Sequence, residues 1–142
     1  MNSALFDSSI YIRAMRRGDE AILSLRRLSA DAPLWLSAVV LEELYAGVLG
    51  RGLRIVERME QDFAGVRRIL TPNLSDWIVA GKVIARLADK YDYEQIGRGR
   101  LTNDALIAMS AGRQGIRVIT TNERDFRRLA EFRPFQWEIA TL

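Results

Sequence analysis

Four short apolar runs, Ala4–Phe6, Leu34–Leu36, Val118–Thr120 and Phe135–Trp137, are each too brief for a helix, and the stretches between them carry apolar residues at helical spacing. Strands this short, alternating with helices, predict an α/β chain: a parallel sheet with helices on its faces. Val56, Met59, Phe63 and Val66, then Ala80, Ile84, Leu87 and Tyr91, mark two amphipathic helices in the middle of the chain. Shorter helices are predicted over Asp19–Ala30, Val39–Leu49, Thr102–Arg113 and Arg124–Ala130, with Thr102 as an N-cap. No linker, repeat or low-complexity tract interrupts the 142 residues, so a single domain spanning 1–142 is expected. In sheets of this kind ligands bind beyond the carboxyl ends of the strands, which directs attention to the residues just after each apolar run.

The sequence contains neither cysteine nor histidine. Disulfides, thiolate nucleophiles, zinc clusters, imidazole bases and Ser-His-Asp triads are excluded, because each needs one of those side chains. Catalysis here must use carboxylates, hydroxyls, Lys or Arg, with a cation as the natural complement. The missing cysteines fit a cytoplasmic address. The longest uncharged run, Ala32–Leu41, is ten residues, about half of what a bilayer crossing requires, so no membrane association is expected.

Acidic residues fall where a ligand site would. Asp7 ends the first apolar run in Leu5-Phe6-Asp7-Ser8-Ser9; taken alone it reads first as the N-cap of the next helix. Glu42 and Glu43 interrupt an otherwise apolar or small helix. Adjacent helical residues point about 100° apart, so one should face inward, and Glu43, flanked by Val39, Ala46 and Gly47, is slightly preferred. Asp104 opens a helix rich in small residues, where the helix dipole alone would favour it. Asn122 and Asp125, one helical turn apart after the last long apolar strand, can converge on one spot.

The hydrophobic run ending in Asp-Ser-Ser, the Glu-Leu-x-x-Gly helix, the Asn-Asp-Ala-Leu-Ile-Ala helix start and the late Thr-x-Asn-x-x-Asp-Phe together resemble the PIN-domain ribonucleases and, within them, the VapC toxins of bacterial toxin–antitoxin pairs. The separations of 36, 61 and 21 residues between Asp7, Glu43, Asp104 and Asp125 look like those of that family. The resemblance implies a three-layer α/β/α sandwich on a parallel sheet. It implies that Asp7, Glu43, Asp104 and Asp125 form a metal-holding catalytic quartet, with Ser9 and Asn122 as supporting polar groups. It further implies an RNA substrate, often transfer RNA or another structured RNA, a homodimer, and a cognate VapB-like antitoxin whose peptide covers the acidic cleft.

Two unit charges about 4 Å apart repel by roughly 4 kcal/mol at an effective dielectric near 20, so four carboxylates do not gather without protons or a cation. Oxygen-only ligation favours Mg2+ or Mn2+ over zinc. With the four acids set aside, 14 of the 18 acids remain against 21 bases, a surface balance of +7 that would attract a polyanion. Of those bases 19 are Arg, whose planar fork suits phosphate. Candidate backbone contacts are Arg13, Arg16 and Arg17 after the first helix, Arg98 and Arg100 in a flexible Gly-containing loop, and Arg124, Arg127 and Arg128 beside Asp125. Two alternatives stand beside the nuclease: a non-catalytic PIN-like RNA-binding module, and a receiver-type phosphoacceptor domain. The second lacks its early acidic pair and its strand-end lysine, since Lys82 and Lys90 fall in mid-helix.

Overall fold

A computed structural model of the chain describes residues 2–18, 32–92 and 98–140, with side chains from Leu101 onward in the last span. Five parallel strands, β1 (Ala4–Phe6), β2 (Leu34–Ser37), β3 (Ile69–Leu70), β4 (Arg117–Thr120) and β5 (Trp137–Ile139), form one sheet in the order β3-β2-β1-β4-β5. The described helices are α1 (Ser8–Arg17), α2 (Ala38–Gly47), α3 (Arg51–Gly65), α4 (Leu74–Tyr91), α5 (Arg98–Gln114) and α6 (Glu123–Phe132). They flank the sheet in the expected α/β/α layering. Ala4, Leu5 and Phe6 are wholly inaccessible, as a central strand covered on both faces must be, which is why β1 reads as an unbroken apolar run.

The chain starts at the middle of the sheet, steps outward through β2 to β3, and then returns to the other side of β1 as β4. The direction of travel therefore reverses between β1 and β4, and the crevice beyond their carboxyl ends is the natural binding position in an open parallel sheet. Register sets what meets there: Phe6 pairs with Ile119, so Asp7 and Thr120 follow side by side.

Several boundaries differ from expectation. The last strand lies at Trp137–Ile139, because Val118 pairs with Trp137 while Phe135 packs edge-on against Phe126 at 6.2 Å in the preceding loop. The two-residue β3 is too short to show any alternation in the sequence. Helix α5 already runs from Arg98, which makes Thr102 an interior residue and removes its predicted capping role. The same start puts Arg98 and Arg100 in a helical turn in place of the expected loop. Its far end is closed by Gly115 at φ +68°, whose neighbour Ile116 donates its N–H to the Ala111 carbonyl. Arg13, Arg16 and Arg17 belong to α1 itself, and the helix predicted over Asp19–Ala30 lies outside the described residues.

Candidate active site

Asp7 leaves β1 in extended conformation and caps α1. Its Oδ1 accepts the Ser8 N–H at 2.7 Å; its Oδ2 accepts the Ser9 hydroxyl at 3.1 Å and the Thr120 hydroxyl at 2.9 Å. The capping and ligand readings of Asp7 are thus compatible, since the bonds that satisfy the helix start also hold the carboxylate in one orientation. Asp7 is only 3% exposed, and Thr120 is fully buried. Thr120 accepts the Asn122 N–H at 3.0 Å while donating to Asp7, so one hydroxyl ties the end of β4 to the end of β1. Thr121 donates to the Ser9 hydroxyl at 3.1 Å and reinforces the same seam.

Helix α2 begins at Ser37, whose hydroxyl accepts the Val39 N–H at 3.2 Å directly after β2. Two turns on, Glu43 is half-buried and Glu42 exposed, as their neighbours suggested. The Glu43 Oε1 is buried without a hydrogen-bond partner. Burial pushes the Glu43 carboxyl above its ordinary range, and the nearby Asp7 charge adds to the effect; hydrogen bonds with the Ser8 and Asn103 side chains partly oppose it. Ser8 also lies 3.5 Å from Asp7 Oδ1. A hydroxyl has one proton to donate, so Ser8 cannot satisfy both carboxylates at once.

Asp104 projects from the second turn of α5, not the first, so proximity to the helix start does not explain it. It is 4% exposed. Asp7 at the cap of α1, Glu43 on α2 and Asp104 on α5 line one open cleft of about 560 Å³ together with Ser8, Ser9, Ile12, Arg13, Arg16 and Asn103. Among the described residues no three acidic side chains already form a finished metal cage.

Asp125 is not in the cleft wall. Asn122 caps α6 and donates its Nδ2 to Asp125 Oδ2 at 2.9 Å, while the Asp125 N–H returns to Asn122 Oδ1 at 3.4 Å. The two residues do converge, but on each other. They connect to Asp7 through the Thr120 hydroxyl. Arg124 pairs with Asp125 at 3.3 Å, Arg127 pairs with Glu123 and lies over the Trp137 ring, and Arg128 stacks 4.1 Å from the Tyr91 ring centre. The arginines of α6 therefore have local partners. Ser8, Asn103 and Thr120 were not singled out from the sequence. Ser8 and Asn103 adjoin flagged acids and Thr120 opens the Thr-x-Asn-x-x-Asp-Phe motif, but that Thr120 bonds Asp7 follows only from β4 lying beside β1.

A family model of the PIN domain matches residues 4–132. No curated protein matches the sequence. Among solved structures, DNA-bound VapBC from Salmonella typhimurium has a similar fold, with a TM-score of 0.68, 24% identity and 98% of each chain covered. VapBC2 from Rickettsia felis, bound to a DNA fragment from its promoter, gives 0.68 at 21% identity over 97% of this chain and 98% of that one. VapBC-1 from nontypeable Haemophilus influenzae gives 0.65 at 24% identity over 96% of each chain. At these identities the likeness is one of fold.

Proposed function

The chain belongs to the PIN-domain family, and from that premise we propose that it is a metal-dependent endoribonuclease, the toxin of a toxin–antitoxin pair, hydrolysing phosphodiesters of transfer RNA or another structured RNA. The observation that carries the reading is the buried, unpartnered Oε1 of Glu43 in a cleft shared with Asp7 and Asp104. A lone pair withdrawn from water and left without a donor costs roughly 1–3 kcal/mol, and more for a charged group. A hard cation would remove that cost at Glu43 and offset the mutual repulsion of the three carboxylates. The donor set is oxygen only, which suits Mg2+ or Mn2+. Mg2+ is commonly bound by one or two carboxylates with water and substrate phosphate around the rest, so a closed cage is not required.

Asp7, Glu43 and Asp104 would hold the ion, and Asp125, outside the cleft wall, would join the set through Asn122 and Thr120. When bound, it would supply a water of lowered pKa and a Lewis acid for the phosphoryl oxygens. The chain's own residues do the positioning. Ser8, Ser9 and Thr120 fix the orientation of Asp7, the Asn103 side chain favours the charged form of Glu43, and the half-burial of Glu43 limits competing water. Arg98, Arg100, Arg124 and Arg128 were expected to meet RNA; the side chains of Arg98 and Arg100 lie outside those described, Arg128 stacks on Tyr91, and Arg124 is exposed enough to exchange Asp125 for a phosphate. The partners that fit this setting are a VapB-like antitoxin and a second copy of the chain, in the cytoplasm. Among the described residues no helix is long and apolar enough to cross a membrane.

The match to the PIN family sets aside the receiver-type alternative. The second reading is the non-catalytic RNA-binding module, which the position of Asp125 outside the cleft wall favours. Incubation with structured RNAs and Mg2+ or Mn2+ separates the two. Cleavage abolished by EDTA and by Asp7→Asn supports the nuclease; cleavage that persists under either, or binding with no cleavage of any RNA, overturns it.

A further inference from the structure

Resting on the nuclease reading, we infer that Arg13 and Arg16 form a two-pronged backbone clamp, gripping single-stranded RNA by successive phosphates along α1 and without reading its bases. Both line the acidic cleft, on the helix face that also carries Ser9 and Ile12. Both are exposed, and neither is engaged by a described carboxylate. The arginines of α6 differ in this respect, being occupied by Asp125, Glu123 and the Tyr91 ring.

Helix geometry sets how far the clamp stands from the acids. At 1.5 Å per residue, Arg13 lies ~9 Å and Arg16 ~13.5 Å along the axis from Asp7. The two guanidinium groups are thus displaced from the phosphate at the acids and meet the phosphates that follow it, which lays the strand along α1 toward its C-terminal end. A cation is needed there: the cleft floor presents three carboxylates, and an approaching polyanion is repelled unless the wall offsets them. Placement in the last turn, favourable to the helix dipole, accounts for Arg16 and Arg17 but not for Arg13. Arg17, counted with them as a candidate contact from the sequence, shares that turn but does not line the cleft; it is set aside as a contact and serves as a matched control.

The remaining wall specifies the kind of contact. Among the described residues no aromatic side chain lines the cleft, and its one apolar member is Ile12. Among the described residues, base stacking, the usual source of sequence-tolerant base contact, has no platform there. Contact of Arg13 and Arg16 with phosphates is uniform across sequences and salt-dependent.

The test measures binding of the full chain to end-labelled poly-uridine and to a mixed-sequence single-stranded RNA, by fluorescence anisotropy in EDTA, so that turnover does not intervene. Removing two phosphate contacts lowers the slope of log affinity against log salt by about 1.4 for a single strand. Raising salt from about 50 to about 200 mM should therefore cost the native protein about sevenfold more affinity than Arg13→Gln/Arg16→Gln, equally for both RNAs, with Arg17→Gln behaving as native. In Mg2+ the double variant should show a raised KM at nearly unchanged kcat. Circular dichroism checks that α1 persists. Equal slopes in native and double variant, including failure of both to bind, overturn the clamp, as does a loss confined to one RNA or matched by Arg17→Gln. If slopes change as expected but no RNA is cleaved under any condition, the nuclease reading fails and the clamp survives as a nucleic-acid site; cleavage with unchanged slopes sinks the clamp alone.

Discussion

Replacing Thr120 with Val keeps the shape of a fully buried side chain and deletes its hydroxyl, which donates to Asp7 at 2.9 Å and accepts the Asn122 N–H at 3.0 Å. A hydrogen bond to a charged group contributes roughly 1.5–3 kcal/mol. Asp7 keeps its Ser8 N–H and Ser9 hydroxyl donors, which places the expected loss near the lower half of that range, about 2 kcal/mol. Thr120→Ser retains both bonds and removes one buried methyl, worth about 1 kcal/mol. For a chain of this length the Val variant should melt about 6 °C lower than native. Urea unfolding in EDTA, with Cm compared at unchanged m, reads the difference directly. In an Asp7→Ala background the cost of Thr120→Val should shrink, with a coupling energy above about 1 kcal/mol. If the Val variant is no less stable than the Ser variant, or the coupling stays under about 0.5 kcal/mol, then Thr120 does not hold Asp7 and the account of how the cleft is positioned is wrong.

Glu43→Gln tests the electrostatics of the cleft. The folded carboxyl titrates above its unfolded value of 4.5, so folding stability is greatest below that value and is lost as pH rises through the higher folded one. In EDTA at neutral pH the Gln variant should therefore melt above the native protein, and Mg2+ should stabilise native more than variant; a Gln variant that melts lower in EDTA contradicts the argument. A separate pair lies at the start of α4, where Asp76, 3% exposed, closes a capping box with Asn73 and takes Arg113 Nε at 3.0 Å on both oxygens. Arg113→Met strands a buried carboxylate and should cost about 3 kcal/mol. Asp76→Ala frees an Arg that can reach water and should cost about 2 kcal/mol, mostly cap and packing. Chemical denaturation that ranks the two the other way would refute this asymmetry.

The sequence was most legible where one physical demand dominated. A central strand needs apolar residues on both faces, and Ala4–Phe6 says so without help from the rest of the chain. Glu43 was separable from Glu42 because a carboxylate beside Val39 is costly. The β3 strand was not legible, since two residues carry no period. Thr102 misled because a threonine followed by an acid looks like a helix start wherever it stands; the helix continues upstream through Arg98. Asp125 met Asn122 as its spacing allowed, but spacing within a helix says nothing about which side of the sheet crevice that helix will face. Thr120 shows the same limit more sharply, because its role comes from strand neighbours decided by the whole topology.

The bond between Thr120 and Asp7 joins residues separated by 113 positions, and its span has a consequence for synthesis. A ribosome adds about 5–20 residues per second, so while the intervening residues are being added the growing polypeptide holds Asp7 without the strand that anchors it. Contacts this distant form late, after the intervening loop has been closed. A product truncated before β4 therefore lacks the bond that anchors Asp7, and the cleft becomes organised only once β4 has left the ribosome.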